Sequence, residues 1–141
     1  MAPPTRSTHP ATRQLGEREC LHLLDGAPYG RLAVIAGDRP QVFPVNHVVR
    51  AGGILIRTGS GTKLISAVGS MVAFQADGLA PTGTAWSVQV TGRAAEVIDV
   101  REILELIPWL AQPWEEGVKP HVVRIEIEEI TGVSFLVQPQ D

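Results

Sequence analysis

The chain has 141 residues, of which 44% are hydrophobic, and a formal net charge of −3. This length supports one sizeable core and is too short for two comfortable domains. The slightly negative charge does not favour a broad attraction to nucleic acid or to an anionic membrane, so any anion site has to be local.

The single Cys20 excludes an internal disulfide framework and a multi-cysteine metal site, and a lone thiol is most common in a reducing cytoplasm. The N-terminal segment lacks the apolar centre of a signal peptide, and no run of about 18 apolar residues is present to span a membrane. We therefore expect a cytoplasmic protein without a membrane or nucleic-acid partner.

The first predicted element is a tail. Residues 1–14 are rich in Pro, Thr, Ser and Arg and are predicted to be disordered, which leaves one domain over residues 15–141. Residues 16–24 form a short amphipathic helix in this prediction, and Asp25-Gly26 ends it. Cys20 lies on the apolar side of that helix, which favours a core position over a nucleophilic one.

Turn residues then separate β-rich segments. The turn Gly37-Asp38-Arg39-Pro40 predicts a hairpin between residues 29–36 and 42–49. A second turn at residues 51–53 leads into a third strand at residues 54–57.

A small helix is predicted to interrupt the sheet at residues 64–68, before a strand at 71–76 that Asp77-Gly78 ends. The remaining predicted elements are a loop at 78–84, a long strand at 86–99, a helix over 100–110 that Pro108 and Pro113 disturb, and a strand at 121–130. Six or more antiparallel strands with few helices predict a mainly β protein, built as a barrel or a sandwich.

The segment RTGSGTK at residues 57–63 concentrates two cations, three hydroxyl residues and two glycines between apolar segments. Glycine permits backbone conformations in which successive N–H groups converge on an anion, and the following helix is expected to point its positive end there. Arg57 can donate two parallel hydrogen bonds, and Lys63 adds a point charge. The segment therefore predicts a site for a terminal phosphate monoester.

Residues 57–63 have two other interpretations. The order Gly-Thr-Lys differs from a nucleoside-triphosphate P-loop, in which Gly-Lys-Ser/Thr precedes a long helix. A solvated turn capped by Thr62 is the simpler alternative, because short Gly/Ser/Thr loops are common between strands. The two flanking cations favour the phosphate site.

A second motif precedes this loop, at Phe43-Pro44-Val45-Asn46-His47. Proline cannot donate to a strand ladder, so its presence indicates an edge, a bulge or backbone that serves a purpose other than pairing. Asn46 offers both a donor and an acceptor, which suits a planar heterocycle with carbonyl and ring N–H groups. A strand residue bonded to its neighbour is the alternative.

The histidines His9, His22, His47 and His121 share no metal-ligand spacing, and no metal site is predicted. His47 is a candidate proton donor, although strand alternation turns it away from Asn46. The sequence spacing indicates no Ser-His-Asp or Cys-His arrangement.

Six motifs follow one another along the chain: GRLAV (30–34), RPQVFPVNHVV (39–49), RTGSGTK (57–63), AFQADG (73–78), WSVQVTGRA (86–94) and VRIEIEEITG (123–132). In order and spacing they resemble the pyridoxamine 5′-phosphate oxidase-like flavoproteins, and more closely the branch that includes nitroimidazole-resistance proteins. The resemblance runs from about residue 15 to residue 135.

This resemblance implies a Greek-key-like split β-barrel that forms a homodimer and binds FMN in two equivalent clefts between the subunits. The residues that it implies for the ribityl phosphate are Arg57, Thr58, Ser60, Thr62 and Lys63. Those implied for the isoalloxazine ring are Pro44, Val45 and Asn46, joined by Trp86 and Ser87 from the opposite subunit.

The expected activity is that of an FMN-dependent oxidoreductase that reduces a small molecule, such as a nitroaromatic or quinone-like compound. Electrons would come from a reduced nicotinamide, which has to bind transiently because the chain has no Gly-rich dinucleotide fingerprint. One alternative is the deazaflavin F420 in place of FMN. Another is a non-catalytic flavin or haem binder used for storage or sensing.

The chain departs from the family pattern at two places. Gln75 stands where the family often has an acidic residue, and Gly132-Val133-Ser134 replaces a C-terminal Gly-Arg-Arg, which affects the expected contacts near the cofactor or partner. Trp109 and Trp114 are predicted to pack in the core or in a dimer interface.

Overall fold

A computed structural model describes residues 12–110 and 121–137, and within these ranges the fold is one antiparallel sheet of eight strands with three short helices and one 3₁₀ turn. The strands are β1 (Arg13–Gln14), β2 (Gly30–Ala36), β3 (Arg39–Val45), β4 (Val48–Arg50), β5 (Gly53–Thr58), β6 (Met71–Leu79), β7 (Thr84–Val97) and β8 (His121–Leu136). The helices are α1 (Glu17–Gly26), α2 (Lys63–Ser66) and α3 (Val100–Leu106), and the 3₁₀ turn is Ile107–Trp109. The predicted mainly β fold is confirmed.

The order of hydrogen-bonded strands is β3-β2-β6-β7-β8-β5-β4, with β1 added beside β8. β3 and β4 stand at the two ends of this path, yet only Asn46 and His47 separate them in the chain. The chain therefore passes directly from one end of the sheet to the other, which curls the sheet into a barrel.

The inward face of the barrel is apolar. Leu32, Ile54, Phe74 and Ile125 are among its fully buried side chains, and each such burial contributes about 1.5–3 kcal/mol. α1 adds Cys20 to this core, as predicted, and burial raises the pKa of its thiol. A second cluster lies on the opposite face of β5 and β8, where α3 packs; its buried members are Leu55, Val97, Leu106 and Val122.

The longest pairing joins β7 to β8, and we call it the β7–β8 ribbon. It runs from Thr84 opposite Leu136 to Val97 opposite Val122. A bulge lies between Thr91 and Gly92, where a Cβ on Gly92 would clash with the backbone carbonyl oxygen of Glu126. Glycine is required there because the two backbones approach too closely for a side chain.

The last two residues of the predicted tail belong to the sheet. Arg13 and Gln14 pair as β1 with Ser134 and Val133, because β8 extends six residues beyond its predicted end at residue 130 and offers them a partner. Arg13 also forms an exposed ion pair with Glu19 at 3.0 Å. Residues 1–11 of the predicted tail lie outside the described residues.

Two strand predictions also needed correction. The predicted strand 42–49 is divided at Asn46-His47 into β3 and β4, and the predicted stop at Asp77-Gly78 does not exist, since β6 continues to Leu79. Gly78 is a packing residue instead: a Cβ there would lie 2.6 Å from Nε1 of Trp86. Glycine thus makes room for an indole on the facing strand.

The helix predicted over residues 100–110 ends at Leu106, and Pro108 lies in the 3₁₀ turn that follows. Trp109 is 53% exposed and does not belong to the core; the guanidinium of Arg50 lies 3.8 Å from the centroid of its ring. Trp114 lies outside the described residues. Within the described ranges, we find no helix with the length and apolar character needed to cross a membrane.

Candidate functional site

The predicted anion loop, residues 57–63, begins with the last two residues of β5. Thr58 continues the inward face of β5 after Ile54 and Ile56, so its buried side chain lies at the mouth of the barrel. Gly61 has a φ of +76°, a left-handed conformation that favours glycine and turns the loop toward α2.

Two of the three loop hydroxyls bond to each other. Thr58 Oγ1 and Thr62 Oγ1 are 2.7 Å apart, and the backbone N–H of Ile65 donates to Thr62 Oγ1 over 3.4 Å. Thr62 therefore caps α2, as the simpler interpretation of the loop predicted. One hydrogen bond between two hydroxyls uses one of their two O–H groups, so the pair keeps one donor. α2 has only four residues, so few aligned peptide dipoles stand behind its positive end.

The third hydroxyl, Ser60, belongs to a hydrogen-bonded chain that reaches β8 and β7. Ser60 Oγ lies 2.9 Å from His121 Nε2, and His121 Nδ1 lies 2.6 Å from Glu96 Oε2. The strand register brings these three side chains together, because Thr58 pairs with His121 and Glu96 pairs with Val123. The sequence spacing indicated no Ser-His-carboxylate arrangement, and the structure contains this one.

The two predicted cations of the loop flank these hydroxyl residues in the sequence. Arg57 is exposed, and strand alternation puts its Cβ on the face of β5 opposite Thr58. Its guanidinium has to reach around the end of β5 to join the hydroxyls at one phosphate. Lys63 is the first residue of α2, and its predicted role stays a prediction.

Pro44, Val45 and Asn46 lie where β3 ends. Val45 is buried in the same core cluster as Leu64 of α2, so only its backbone could face a ring. The side-chain amide of Asn46 donates to the carbonyl of Pro28 over 3.4 Å. Its Oδ1 is buried and has no hydrogen-bond partner among the described residues. An acceptor of this kind suits a ligand N–H.

His47 is buried against the core and is not placed like a proton donor. Its Nε2–H donates to the carbonyl of Leu24 at 2.7 Å, and its ring centroid lies 4.7 Å from that of Phe74. Burial is the main cause that lowers the pKa of His47, since the charged form loses hydration there. The geometry favours a neutral structural residue.

Trp86 and Ser87 are neighbours on β7 but face opposite sides of the sheet. Trp86 packs against the barrel core, whereas Ser87 lies on the outer face. The hydroxyl of Ser87 accepts a hydrogen bond from Gln75 Nε2 at 3.1 Å. Gln75 also donates to Asp77 and accepts from Arg31. The unexpected Gln75 is therefore the centre of a polar network on this face.

The β7–β8 ribbon separates Trp86 and Ser87 from the loop. Ser87 pairs with Val133 near one end of the ribbon, and Glu96 pairs with Val123 near the other. About nine residues of strand separate Ser87 from Glu96, a path of roughly 30 Å at the usual rise of an extended chain. One protomer thus does not bring all of the predicted site residues together.

A protein metal site needs several ligand side chains placed around one point. In residues 12–110 and 121–137, no group of three or more His, Cys, Asp or Glu side chains is placed to hold a metal ion.

Comparison with known proteins decides the family. The sequence model of the pyridoxamine 5′-phosphate oxidase family matches residues 16–134. The chain belongs to this family. The uncharacterised Mycobacterium tuberculosis protein Rv0080 is 35% identical over an alignment of 147 positions, which covers 96% of each chain.

Solved structures from this family agree with the fold. A candidate pyridoxamine 5′-phosphate oxidase from Corynebacterium glutamicum is 34% identical, with a TM-score of 0.80 over 92% of this chain and 97% of that one. An FAD binding protein from Mycobacterium smegmatis is also 34% identical, with a TM-score of 0.75 over 88% and 98%. The predicted family and its split β-barrel are confirmed.

The nitroimidazole-resistance branch is represented at lower similarity. A candidate 5-nitroimidazole antibiotic resistance protein from Bacteroides thetaiotaomicron is 12% identical, with a TM-score of 0.66 over 88% of this chain and 89% of that chain. At this identity the likeness is one of fold alone.

Proposed function

We propose that this protein is a flavin-binding oxidoreductase in which residues 57–63 hold the ribityl phosphate of FMN. The observation that carries this proposal is the gathering of Thr58, Ser60 and Thr62 around the turn at Gly61, beside the exposed Arg57. Family membership and the FAD binding relative from Mycobacterium smegmatis support a flavin. FAD carries a phosphate at the same ribityl position, within a diphosphate, whereas FMN ends in the phosphate monoester for which we propose this loop.

The groups on the protein fit both ends of such a ligand. At the loop, one O–H of the Thr58–Thr62 pair and the guanidinium of Arg57 are donors to phosphate oxygens. At the end of β3, the unpartnered Oδ1 of Asn46 fits a ring N–H, after the amide rotates outward from its buried position. The backbone of Pro44 and Val45 would line the same ring.

When bound, a flavin supplies hydride and single-electron transfer. The chain anchors the phosphate, hydrogen-bonds the ring edge and keeps water from the cleft. A reduced nicotinamide is the proposed electron donor, and a small molecule such as a nitroaromatic or quinone is the proposed acceptor. None of these roles requires a side-chain nucleophile.

The site proposed here is shared between two copies of the chain. Trp86 and Ser87 stand at the end of the β7–β8 ribbon that is remote from the loop. In a homodimer with two equivalent clefts, the partner's Ser87 would reach the ring from its exposed outer face. Trp86 packs against its own core, which makes its contribution to the cleft the smaller one.

The test begins with the pure protein, its visible spectrum and the mass of the ligand released on denaturation. FMN or FAD, together with turnover by a reduced nicotinamide, supports the proposal. Release of F420 or haem would instead support an F420-dependent reductase or a haem binder. A tightly held flavin without turnover would indicate storage or sensing. A protein that neither carries nor takes up any flavin overturns it.

The shared cleft is tested by size. Light scattering should give a dimer for the flavin-loaded protein. A monomer with bound FMN would contradict the partner's contribution.

A further inference from the structure

His121 links the proposed phosphate loop to a carboxylate. Its two ring nitrogens have different partners: Nε2 meets the hydroxyl of Ser60 at 2.9 Å, and Nδ1 meets the carboxylate of Glu96 at 2.6 Å. The side chains of His121 and Glu96 are 27% and 30% exposed, so solvent protons reach both. Nothing in the proposed flavin chemistry uses this pair.

The protonation state of His121 decides whether the Ser60 hydroxyl donates to the imidazole or accepts from it. A carboxylate only accepts, so Nδ1 of His121 carries a hydrogen that it donates to Glu96. In the neutral ring Nε2 is then an acceptor, and the O–H of Ser60 is used to donate to it. In the protonated ring Nε2–H donates to Ser60 Oγ, and the O–H of Ser60 becomes available to another acceptor.

We propose that His121 is a positioning residue for Ser60, and that its protonation releases the Ser60 hydroxyl to donate to the phosphate of the bound flavin. This inference rests on the proposed function, because it needs a phosphate at the loop. It adds a proton-linked donor to a site in which the Thr58–Thr62 pair supplies only one O–H.

Other charges near His121 also act on a bound phosphate. Glu96 on β7 is the direct partner, and Thr58, directly opposite on β5, is uncharged. Arg57 precedes Thr58, and Lys63 begins α2. The phosphate itself gains its second charge near pH 6, which strengthens attraction to both cations as pH rises. The effect of His121 therefore has to be measured as a difference between variants.

The decisive measurement is the dissociation constant of FMN between about pH 5.5 and 8, the range in which imidazoles titrate. The loaded protein is diluted, and the release of FMN is monitored by flavin fluorescence. His121→Gln places an amide N–H near the position of Nε2 at every pH. The FMN dissociation constant of wild type, divided by that of His121→Gln, should rise about tenfold from the acid to the alkaline end. This is the effect of losing one charge-assisted hydrogen bond to the phosphate. Riboflavin, which lacks the phosphate, should show no such change.

Ser60→Ala provides the second test. It should bind FMN about tenfold more weakly than wild type at the acid end and equally well at the alkaline end, where the hydroxyl donates to His121. His22→Gln is the matched control, since His22 is exposed on α1, and it should follow wild type throughout.

The outcomes separate this inference from the proposed function. Parallel FMN curves for wild type, His121→Gln and Ser60→Ala overturn the inference and leave flavin binding intact. A change that riboflavin shows equally also overturns it, because the effect then does not involve the phosphate. A wild-type protein that binds no flavin at any pH overturns both.

Discussion

The two ends of the β7–β8 ribbon differ in the chemistry that they present. At one end, Ser60, His121 and Glu96 form a hydrogen-bonded chain at the barrel mouth. At the other, Trp86 packs over Gly78 on the inner face, and Ser87 joins a polar network on the outer face. The first end offers donors to an anion, and the second offers an indole and a polar network that includes the ion pair of Arg31 with Asp77.

This difference bears on how one ligand could use both ends. A flavin with a phosphate tail and a planar ring needs both kinds of groups, but the length of the ribbon keeps them apart in one chain. Antiparallel association of two copies would bring the loop of one against the β7 surface of the other.

The largest effect is expected at the loop. Arg57→Ala combined with Lys63→Ala should weaken FMN binding about a thousandfold, because hydrogen bonds from charged groups contribute about 1.5–3 kcal/mol each. Riboflavin binding should change little. Fluorescence titration with both flavins measures this, and unchanged FMN retention would remove the phosphate assignment.

The middle of the ribbon is expected to control stability. Gly92→Ala should lower the free energy of unfolding by about 3 kcal/mol, because its Cβ would clash with the backbone of β8 at Glu126. Gly26→Ala, whose added Cβ meets no atom within 4 Å, is the control and should raise the free energy of unfolding by about 0.4–1 kcal/mol. Urea unfolding compares the two, and equal midpoints would show that the ribbon adapts.

The outer face at the other end is expected to act across the proposed dimer. Ser87→Trp should weaken both FMN and riboflavin about tenfold by filling the cleft, whereas Ser87→Ala should change either by less than about threefold. Coexpression of Ser87→Trp with the double cation variant creates heterodimers with one intact cleft. Recovery of about one flavin per two chains of heterodimer is the expected result. No recovery would place both sets of residues in one protomer's site.

The smallest effect concerns His47. Its pKa is lowered in the folded state, mainly by burial, so the unfolded chain binds the proton more tightly. The contribution of the neutral His47 to the free energy of unfolding should therefore be fully present above about pH 6.5, the ordinary imidazole value. It should decrease as pH falls below that value. His47→Gln, which keeps an N–H for the carbonyl of Leu24, should show a flatter profile over the same range. Parallel unfolding profiles would assign the pH dependence to other groups.

His47 and His121 are expected to respond to acid with opposite effects. Acid is expected to weaken the fold through His47 and to strengthen phosphate binding through His121. The His121-dependent part of FMN affinity, taken as the difference between wild type and His121→Gln, should then move opposite to protein stability as pH falls. A common direction for both would show that stability governs the apparent affinity.

Much of the fold was predictable because apolar and turn residues report on local backbone. The hairpin turn, which lies at Gly37-Asp38 within the predicted segment 37–40, and the buried Cys20 are both indicated by short segments of sequence. Gly78 shows the limit: after an aspartate it has the composition of a turn, yet it lies inside β6 because Trp86 on the facing strand needs the space. Such a requirement depends on a partner strand that local composition does not describe.

The candidate site shows the same limit more strongly. Residues 57–63 are contiguous, so their hydroxyls and cations could be recognised together. His121 is 61 positions from Ser60 and 25 positions from Glu96, and only the register of β5, β8 and β7 brings the three side chains together. The alternation that puts Trp86 and Ser87 on opposite faces was in principle available from the strand prediction.

β8 has a consequence for folding during synthesis. It pairs with β1, β5 and β7, all of which precede it in the chain, and β5 meets it across more than 60 residues. The hairpins β2–β3, β4–β5 and β6–β7 involve only neighbouring segments and can form early. Until β8 leaves the ribosome, β5 and β7 expose unpaired edges that invite association with other nascent chains. Completion of this barrel should therefore follow translation of β8, and ribosome-bound chains arrested before it should be sensitive to protease.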